Sequence, residues 1–436
     1  MNATAFSPRT AASVVLAHDP ALPQRDLLLD EREIASRLSQ LLGANGPIAI
    51  ERCEKQRIKY RIGDSLRVLY RVQVNGSSHM VAARISAARN HEGVFEQALV
   101  NTLPCSSLRS AVHDPELQTV FWLYPNDRKI EGLNALDQIP PSLSKIGDAN
   151  WIRSELVAYA PEKCATARCL DGDGAVIGYA KLYAGDEGQT IFQTYRALST
   201  NLAANKSGSR IASALTYSTA HRLLLLESVQ GSRVADLRGG DLRRGLCNLG
   251  NTLAALHRCL LPNSLPRFTR LDADKLGNAA TLISRARPDV AEAARRLAFE
   301  LCSQLPPVDD FVCLHGDVHP KNGIARNEQV TLIDIDQAAA GPAAADLGSL
   351  LAALRYNRCV GSISESDESA LAESFLSGYR QVHPLPDAQS LRWHMAAALL
   401  AERALRSVNR IRPEGLLHLR ELLSNACEIL RSEGHS

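Results

Sequence analysis

The chain has 436 residues, more than one hydrophobic core usually sustains, and with 45% hydrophobic and 22% charged residues it has the make-up of a globular protein; a disulfide-stapled miniprotein, a collagen-like chain and a disordered chain are excluded. Lys and Arg number 49 against 47 Asp and Glu, with no block of one sign, so no nucleic-acid footprint is visible, and 5% aromatic residues are too few for a base-stacking groove. The basic residues divide into nine Lys and 40 Arg, which makes a Lys inside an apolar strand a marked choice. Ten cysteines show no CxxC and no Cys/His spacing of a zinc site, as expected of small buried hydrophobes in a reducing compartment. The first twenty residues lack a basic leader region. The longest aliphatic run, Leu223 to Leu226, falls far short of the ~20 apolar residues of a membrane span. A cytoplasmic protein is expected, with no membrane and no nucleic acid among its partners; the oligomeric state stays open.

Strands are expected at RIKY and LRVLYRVQV between residues 56 and 74 and at MVAARIS (80–86), with NGSSH as a turn, a helix from Glu92 to Asn101, and a strand TVFWLYP. A hundred residues later the order recurs: LVAY and CATARCL as strands, DGDG as a turn, AVIGYAKLY as a strand, EGQTIFQTYRALS as a helix and RLLLLESVQG as a strand. Gly172 and Gly174 serve the turn; the stretch is neither GxGxxG nor a calcium loop. Tyr60 to Arg84 parallels Tyr159 to Lys181, and YPNDRKIEGL parallels VQGSRVADL, which implies two copies of one sheet-plus-helix unit unless any two twisted hairpins look alike. From about residue 233 the pattern turns helical, in LRRGLCNLGNTLAALHRCL, RPDVAEAARRLAFELCSQL and four further stretches (345–357, 367–382, 388–410 and 414–432), with Pro306 and Pro307 after the second.

Chemistry concentrates in FVCLHGDVHPKNGIARNEQVTLIDIDQAAAGPAAADLG, residues 311–348. Two short apolar strands flank Arg326 to Gln329. A hairpin centred near Glu328 would set Asn322 opposite Asp334, so that an amide oxygen and a carboxylate share one ion, hard ligands that suit Mg²⁺ in a nucleoside triphosphate site. Asp317 reaches the same mouth and could accept a proton from, or orient, an attacking hydroxyl. The His315-x-Asp317-x-His319 series could instead hold a transition metal of a hydrolase, although His315 reads better as a brace for the loop. His319 and Lys321 face either phosphate or solvent, and Asp336 is either a second metal ligand or a solvated strand end.

The ordered series His315-Gly316-Asp317-x-His319-x-x-Asn322, Ile333-Asp334-x-Asp336, Gly341 and Asp346-Leu347 resembles the signature of the aminoglycoside phosphotransferase and choline kinase-like family. The likeness runs in order through residues 150–410 and is strongest over 313–348. It implies an α+β protein kinase-like fold of two lobes, a small antiparallel β-sheet lobe and a large helical lobe, with an extra N-terminal α+β unit resembling a second small lobe. The implied division is 1–148 for the cap, 149–232 for the small lobe and 233–436 for the large lobe. Implied too are ATP and Mg²⁺ as cofactors, Asp317 as base, Asn322 and Asp334 as metal ligands, Asp346 as a buried anchor, and Lys181 on the α- and β-phosphates. Adenine would meet the backbone near Glu227 and Val229. The substrate would be a hydroxyl of a small molecule such as a sugar, an amino alcohol or an aminoglycoside. Two features depart from the family: the only Glu near the usual lysine partner is Glu187, and the phosphate-covering loop, Pro161 to Ala165, has no glycine. These leave a nucleotide-binding pseudokinase or regulatory interaction protein as the alternative. In the first copy Arg84 stands where Lys181 stands in the second, and Arg replaces a point-charge Lys poorly. Along LLAERALRSVNRI, Glu402, Arg406 and Arg410 are spaced either as a solvated charge ladder or as a face over the substrate cleft. Trp393 and His394 read as core.

Overall fold

The computed structural model describes residues 16–88, 90–100, 102–103, 107–204, 208–306 and 311–432. Residues 1–15 of the N-terminal segment, Asn101, Cys105 and Pro307 lie outside that range. Two five-stranded antiparallel sheets follow one another in the chain. The first holds β1 (Arg52–Arg61), β2 (Ser65–Val74), β3 (Ser77–Ser86), β4 (Ala111–Asp114) and β5 (Thr119–Leu123), in the order β1-β2-β3-β5-β4. The second holds β6 (Arg153–Ala160), β7 (Cys164–Leu170), β8 (Val176–Tyr183), β9 (Ala214–Ser218) and β10 (Leu223–Glu227), in the order β6-β7-β8-β10-β9. The topology is the same, with a helix after the third strand in each case, α3 (His91–Leu99) and α4 (Glu187–Ala204). The edge strands β4 and β9 are short and lack a clean apolar alternation, which is why sequence pattern passed over them.

Register makes the correspondence residue by residue. Lys59, Arg67, Arg84 and Val120 stand side by side across the first sheet, as Ala158, Thr166, Lys181 and Leu224 do across the second. Arg84 therefore occupies the place of Lys181. The first two strands of each sheet are joined by three residues, 62–64 and 161–163. The second hairpins differ: Asn75 and Gly76, both at positive φ, close a tight two-residue turn between long strands, whereas residues 171–175 form a looser loop between shorter ones.

The two sheets pack face to face. Leu69, Ala82, Val120 and Trp122 of the first share a buried cluster with Tyr159, Ala165, Ala180 and Leu225 of the second, and the Trp122 indole donates to the Tyr159 hydroxyl at 3.1 Å. The other face of the first sheet, with Leu66, Val68 and Tyr70, joins a core that includes α1 (Arg25–Leu29) and α2 (Glu31–Leu41), and reaches the helices of the C-terminal half. Asp30 caps α2 by accepting from the Arg32 and Glu33 amides.

The β6–β7 turn is fixed by charge. Glu162, with its side chain 2% exposed, takes Arg67 at 2.8 Å, Arg84 at 2.5 Å and Arg128, while its own amide donates to Asp127 at 2.8 Å. Glu162 also adopts a φ of +59°, a conformation for which glycine is the usual residue. The loop thus does without glycine because three guanidinium groups hold a carboxylate in a left-handed position.

The remaining chain is mostly helical: α5 (Gly239–His257), α6 (Ala273–Ala286), α7 (Ala291–Ser303), α8 (Ala343–Cys359), α9 (Glu365–Arg380), α10 (Ala388–Ala398), α11 (Leu405–Asn409) and two more to Arg431. Helix α6 was not apparent from the sequence pattern. Between α10 and α11, residues Leu399–Ala404 form a π-helical turn that breaks the expected spacing. Glu402 is consequently buried on Ser349 and Arg270, away from Arg406, and no charge ladder forms. Trp393 and His394 are buried as expected. The nine described cysteines are free, and no helix among the described residues is long and apolar enough to cross a membrane.

Burial raises the Glu162 pKa, but Arg84, Arg128 and Arg67 outweigh it and the carboxyl is held below its ordinary 4.5. Its stabilisation is present above pH 4.5 and lost as pH falls through the lower folded value. Glu162→Gln should cost about 3–5 kcal/mol, since it leaves buried cations unpaired. Urea unfolding at pH 7 checks the loss, and the gap between wild type and variant should narrow below about pH 4.5.

Candidate active site

Two short strands bring the chemical segment together. Phe311–Leu314 pairs antiparallel with Ala339–Pro342, so the loop after Leu314 and the loop before Ala339 leave the ladder side by side. Asp346, at the start of α8 and 2% exposed, accepts from the amides of His315 at 2.7 Å and Gly316 at 2.9 Å and from His257 Nε2 at 3.2 Å. Burial pushes its pKa up, yet His257 and the His315 amide hold it below the usual carboxylate value. His315 is fully buried, with Nε2 on the Ile333 carbonyl at 3.0 Å and Nδ1 accepting from the Asp317 amide at 3.3 Å. Both ring nitrogens brace the loop. His319 is likewise engaged, accepting from the Lys321 amide at 3.2 Å, and no three His, Cys, Asp or Glu side chains among the described residues are grouped to hold a metal. The hydrolase reading of this series has no geometric support.

The hairpin formed by Gly323–Arg326 and Gln329–Leu332 turns at Asn327 and Glu328, so its centre lies between them and not on Glu328. Asn322 is therefore opposite Ile333, whose amide donates to the Asn322 carbonyl at 2.9 Å, and Asp334 lies one residue further. Asp334 has a φ of +60°, which turns the chain at the hairpin mouth. The Asn322 side-chain amide donates to the Asp317 carbonyl at 3.0 Å, so its oxygen points away from that bond.

Lys181 crosses from β8 to this mouth. Its ammonium is 2.7 Å from both Asp334 Oδ1 and Asp336 Oδ2, and Tyr183 donates to Asp336 at 3.0 Å. Burial opposes the charge on Lys181, but Asp336 and Asp334 outweigh it and raise its pKa. Burial raises the pKa of Asp334, yet Lys181 brings it below normal, whereas burial and the Asp334 charge keep that of Asp336 above normal despite Lys181. Glu187 is not the partner of Lys181. The lysine's counter-charges come from the large lobe, a role that spacing could not assign because Asp336 is 155 positions away in sequence.

Glu227 ends β10, opposite Gly178 of β8: its side chain is taken by Arg210 at 2.5 Å and the Ser213 amide at 2.7 Å, and its own amide donates to the Ser213 carbonyl. Val229 follows two residues on and is half-buried. Neither lines the main cleft, about 940 Å³, which Lys181, Asp317, Asp334 and Asp336 do line. Sequence reasoning also missed Arg270, which donates to the Gly316 carbonyl and to Gln337 at 2.6 Å; nothing in PRFTRL signals it.

Hard oxygens at Asn322 and Asp334, with one Asp336 oxygen buried and unpartnered, are a donor set that fits Mg²⁺. Residues 192–394 match the family model described as "Phosphotransferase enzyme family". That segment, a little under half of the chain, is similar to the phosphotransferase family. A thermostable mutant of the aminoglycoside phosphotransferase APH(4)-Ia, in ternary complex with AMP-PNP and hygromycin B, matches at TM-score 0.50 and 13% identity, over 69% of this chain and 100% of its own. ADP-bound APH(2'')-Ib gives 0.46 at 16% identity, over 66% and 97%, and a choline/ethanolamine kinase family protein from Mesorhizobium loti gives 0.43 at 13%, over 68% and 93%. No curated protein matches the sequence. The kinase-like fold and the resemblance to the phosphotransferase family are both borne out.

Gly316 tests how finely the loop is set. Its φ is +79°, and a Cβ there would lie 1.9 Å from the Gln337 carbonyl oxygen. Gly316→Ala should lower phosphotransfer by about 10²-fold, the scale expected when a catalytic group shifts by about 1 Å. Steady-state rates check this, with circular dichroism to verify the fold.

Proposed function

We propose that the chain transfers the γ-phosphoryl group of ATP to a hydroxyl of a small molecule, with Asp317, Asn322, Asp334 and Lys181 as its working residues. The observation that carries this reading is Lys181 meeting Asp334 and Asp336 across the cleft that Asp317 also lines. Asp317 orients the acceptor hydroxyl and takes its proton, a contribution of typically ~10²- to 10⁴-fold. Lys181 holds the non-transferred phosphates, and to do so gives up part of its contact with the two aspartates. Asn322 and Asp334 would hold the metal, whose charge, when bound, offsets that developing on the phosphoryl oxygens. Adenine meets the backbone near Glu227 and Val229, beyond the lining of the main cleft. Residues 149–232 and 233–436 serve as the two lobes and 1–148 as a cap that shapes the substrate end; Arg84 is tied to Glu162 and unavailable to a second nucleotide. Relatives solved with ADP, AMP-PNP or aminoglycosides support a nucleotide and a hydroxyl-bearing substrate of this general kind.

The second reading, a nucleotide-binding protein without turnover, is favoured by one observation: Lys181 has no glutamate partner on the helix after β8.

A screen of sugars, amino alcohols, hydroxy acids and aminoglycosides with radiolabelled ATP separates the two. Asp317→Asn should lower kcat by at least about 10²-fold with the affinity for Mg·ADP unchanged, and Lys181→Met should weaken nucleotide binding and lower kcat/KM. Equal turnover by wild type and Asp317→Asn would sink the assignment.

A further inference from the structure

The cleft is charged in a way that phosphoryl transfer alone does not require. Beyond Lys181, its wall carries Arg57 from β1, Lys163 from the β6–β7 turn, Arg406 from α11, and Arg410 and Arg412 just after it. A smaller cavity shares Arg57, Lys163 and Arg410 and adds Lys59. Three separate parts of the chain thus converge at one end of the cleft, and one is the N-terminal unit. Arg410 donates to the Ile58 carbonyl at 3.0 Å, which ties the end of α11 to β1 and fixes the cluster.

These cations differ from the other arginines around them. Arg67, Arg84 and Arg128 all reach Glu162, whereas none of the six has a carboxylate at ion-pair distance among the described residues. Arg57, Lys59, Arg406 and Arg410 are half-buried. Burial, then the neighbouring cations, pushes Lys59 down to about 8 and Arg410 down to about 10. Unpaired, partly desolvated like charges cost stability until an anion enters. The nucleotide does not explain them all, because its phosphates would already have Lys181 and the metal that Asn322 and Asp334 would hold. An aminoglycoside, with its protonated amines, would be repelled.

We propose that this end of the cleft binds the phosphate or carboxylate group of the acceptor, so that the phosphorylated hydroxyl belongs to an acidic small molecule and the N-terminal unit supplies part of the specificity. The assignment of acceptor role rests on the phosphotransferase reading above. Arginine suits the task because its planar fork meets either oxyanion with two hydrogen bonds. The π-turn at Leu399–Ala404 contributes by rotating the helix that follows, burying Glu402 while Arg406 reaches the cleft.

Calorimetric titration of the full chain with inorganic phosphate and, separately, with Mg·ADP tests this. Wild type should bind both. Arg406→Gln/Arg410→Gln, and independently Arg57→Gln on another element, should weaken phosphate at least about tenfold, or ~1.4 kcal/mol, and change Mg·ADP affinity less than about twofold. In turnover assays the active acceptors should be sugar phosphates or hydroxy acids, the two panels telling phosphate from carboxylate. Absence of phosphate binding, equal loss of phosphate and Mg·ADP binding in the variants, or turnover confined to neutral or amino-bearing acceptors would overturn the proposal. Arginine-dependent phosphate binding with no Mg·ADP binding would instead bring down the phosphotransferase reading, and the acceptor role with it.

Discussion

A single buried carboxylate locks the two sheets of the N-terminal half to each other by charge, beside the apolar cluster they share. Glu162 lies at the tip of the turn that in a kinase-like small lobe covers the phosphates, and three arginines of the preceding unit close on it. Its left-handed backbone costs on the order of 1 kcal/mol or more, and such strain persists only when surrounding contacts over-determine it. The Asp127 carboxylate, taking the Glu162 amide and the Tyr159 hydroxyl, supplies the rest of that constraint. The β6–β7 turn is thereby set by the N-terminal unit, and Lys163 beside Glu162 is presented to the cleft.

A second carboxylate does the same for the large lobe. Asp346 gathers the His315 and Gly316 amides and the His257 ring, and the strands Phe311–Leu314 and Ala339–Pro342 hold the two chemical loops in register. Arg270 closes the arrangement from the other side by linking Gly316, Gln337 and Glu402. The Asp317 side chain is left outside these bonds, on the wall of the cleft, while its backbone is held at both ends, by the His315 ring and by Asn322.

Much of this is legible in the sequence, for a physical reason. Strands with apolar alternation, the doubled order of elements and the polar series of 315–346 are local patterns, and each appears where expected. What escaped was non-local or irregular. The partner of Lys181 comes from another lobe, and Arg270 carries no motif. The half-residue error in the hairpin centre moved Asp334 from opposite Asn322 to the next position, because a two-residue turn leaves no residue at the centre. The helical ladder failed for a related reason: a π-turn inserts one residue per turn, and i, i+4 spacing then no longer keeps Glu402 and Arg406 on one face.

The two sheets also show one position used twice. Arg84 and Lys181 hold the same place in the same register, and each reaches out of its own sheet to a carboxylate of the unit that follows, Glu162 for the first and Asp334 with Asp336 for the second. The difference is in what the carboxylate can do. Glu162 is closed off by two further guanidinium groups and exposes 2% of its side chain, so the pair is a fixed joint. Asp334 exposes 46% of its side chain at the mouth of a cleft, and Lys181 is its only salt-bridge partner among the described residues, so that pair can be opened by a ligand. Arginine, with its rigid fork, suits the joint, and lysine, a compact charge on a flexible stem, suits the contact that must be exchanged. Lysine is scarce in this chain, nine against 40 arginines, and the one at 181 stands where an exchangeable contact is wanted: the row that docks one unit onto the next in the first sheet carries, in the second, an ion pair open to the cleft.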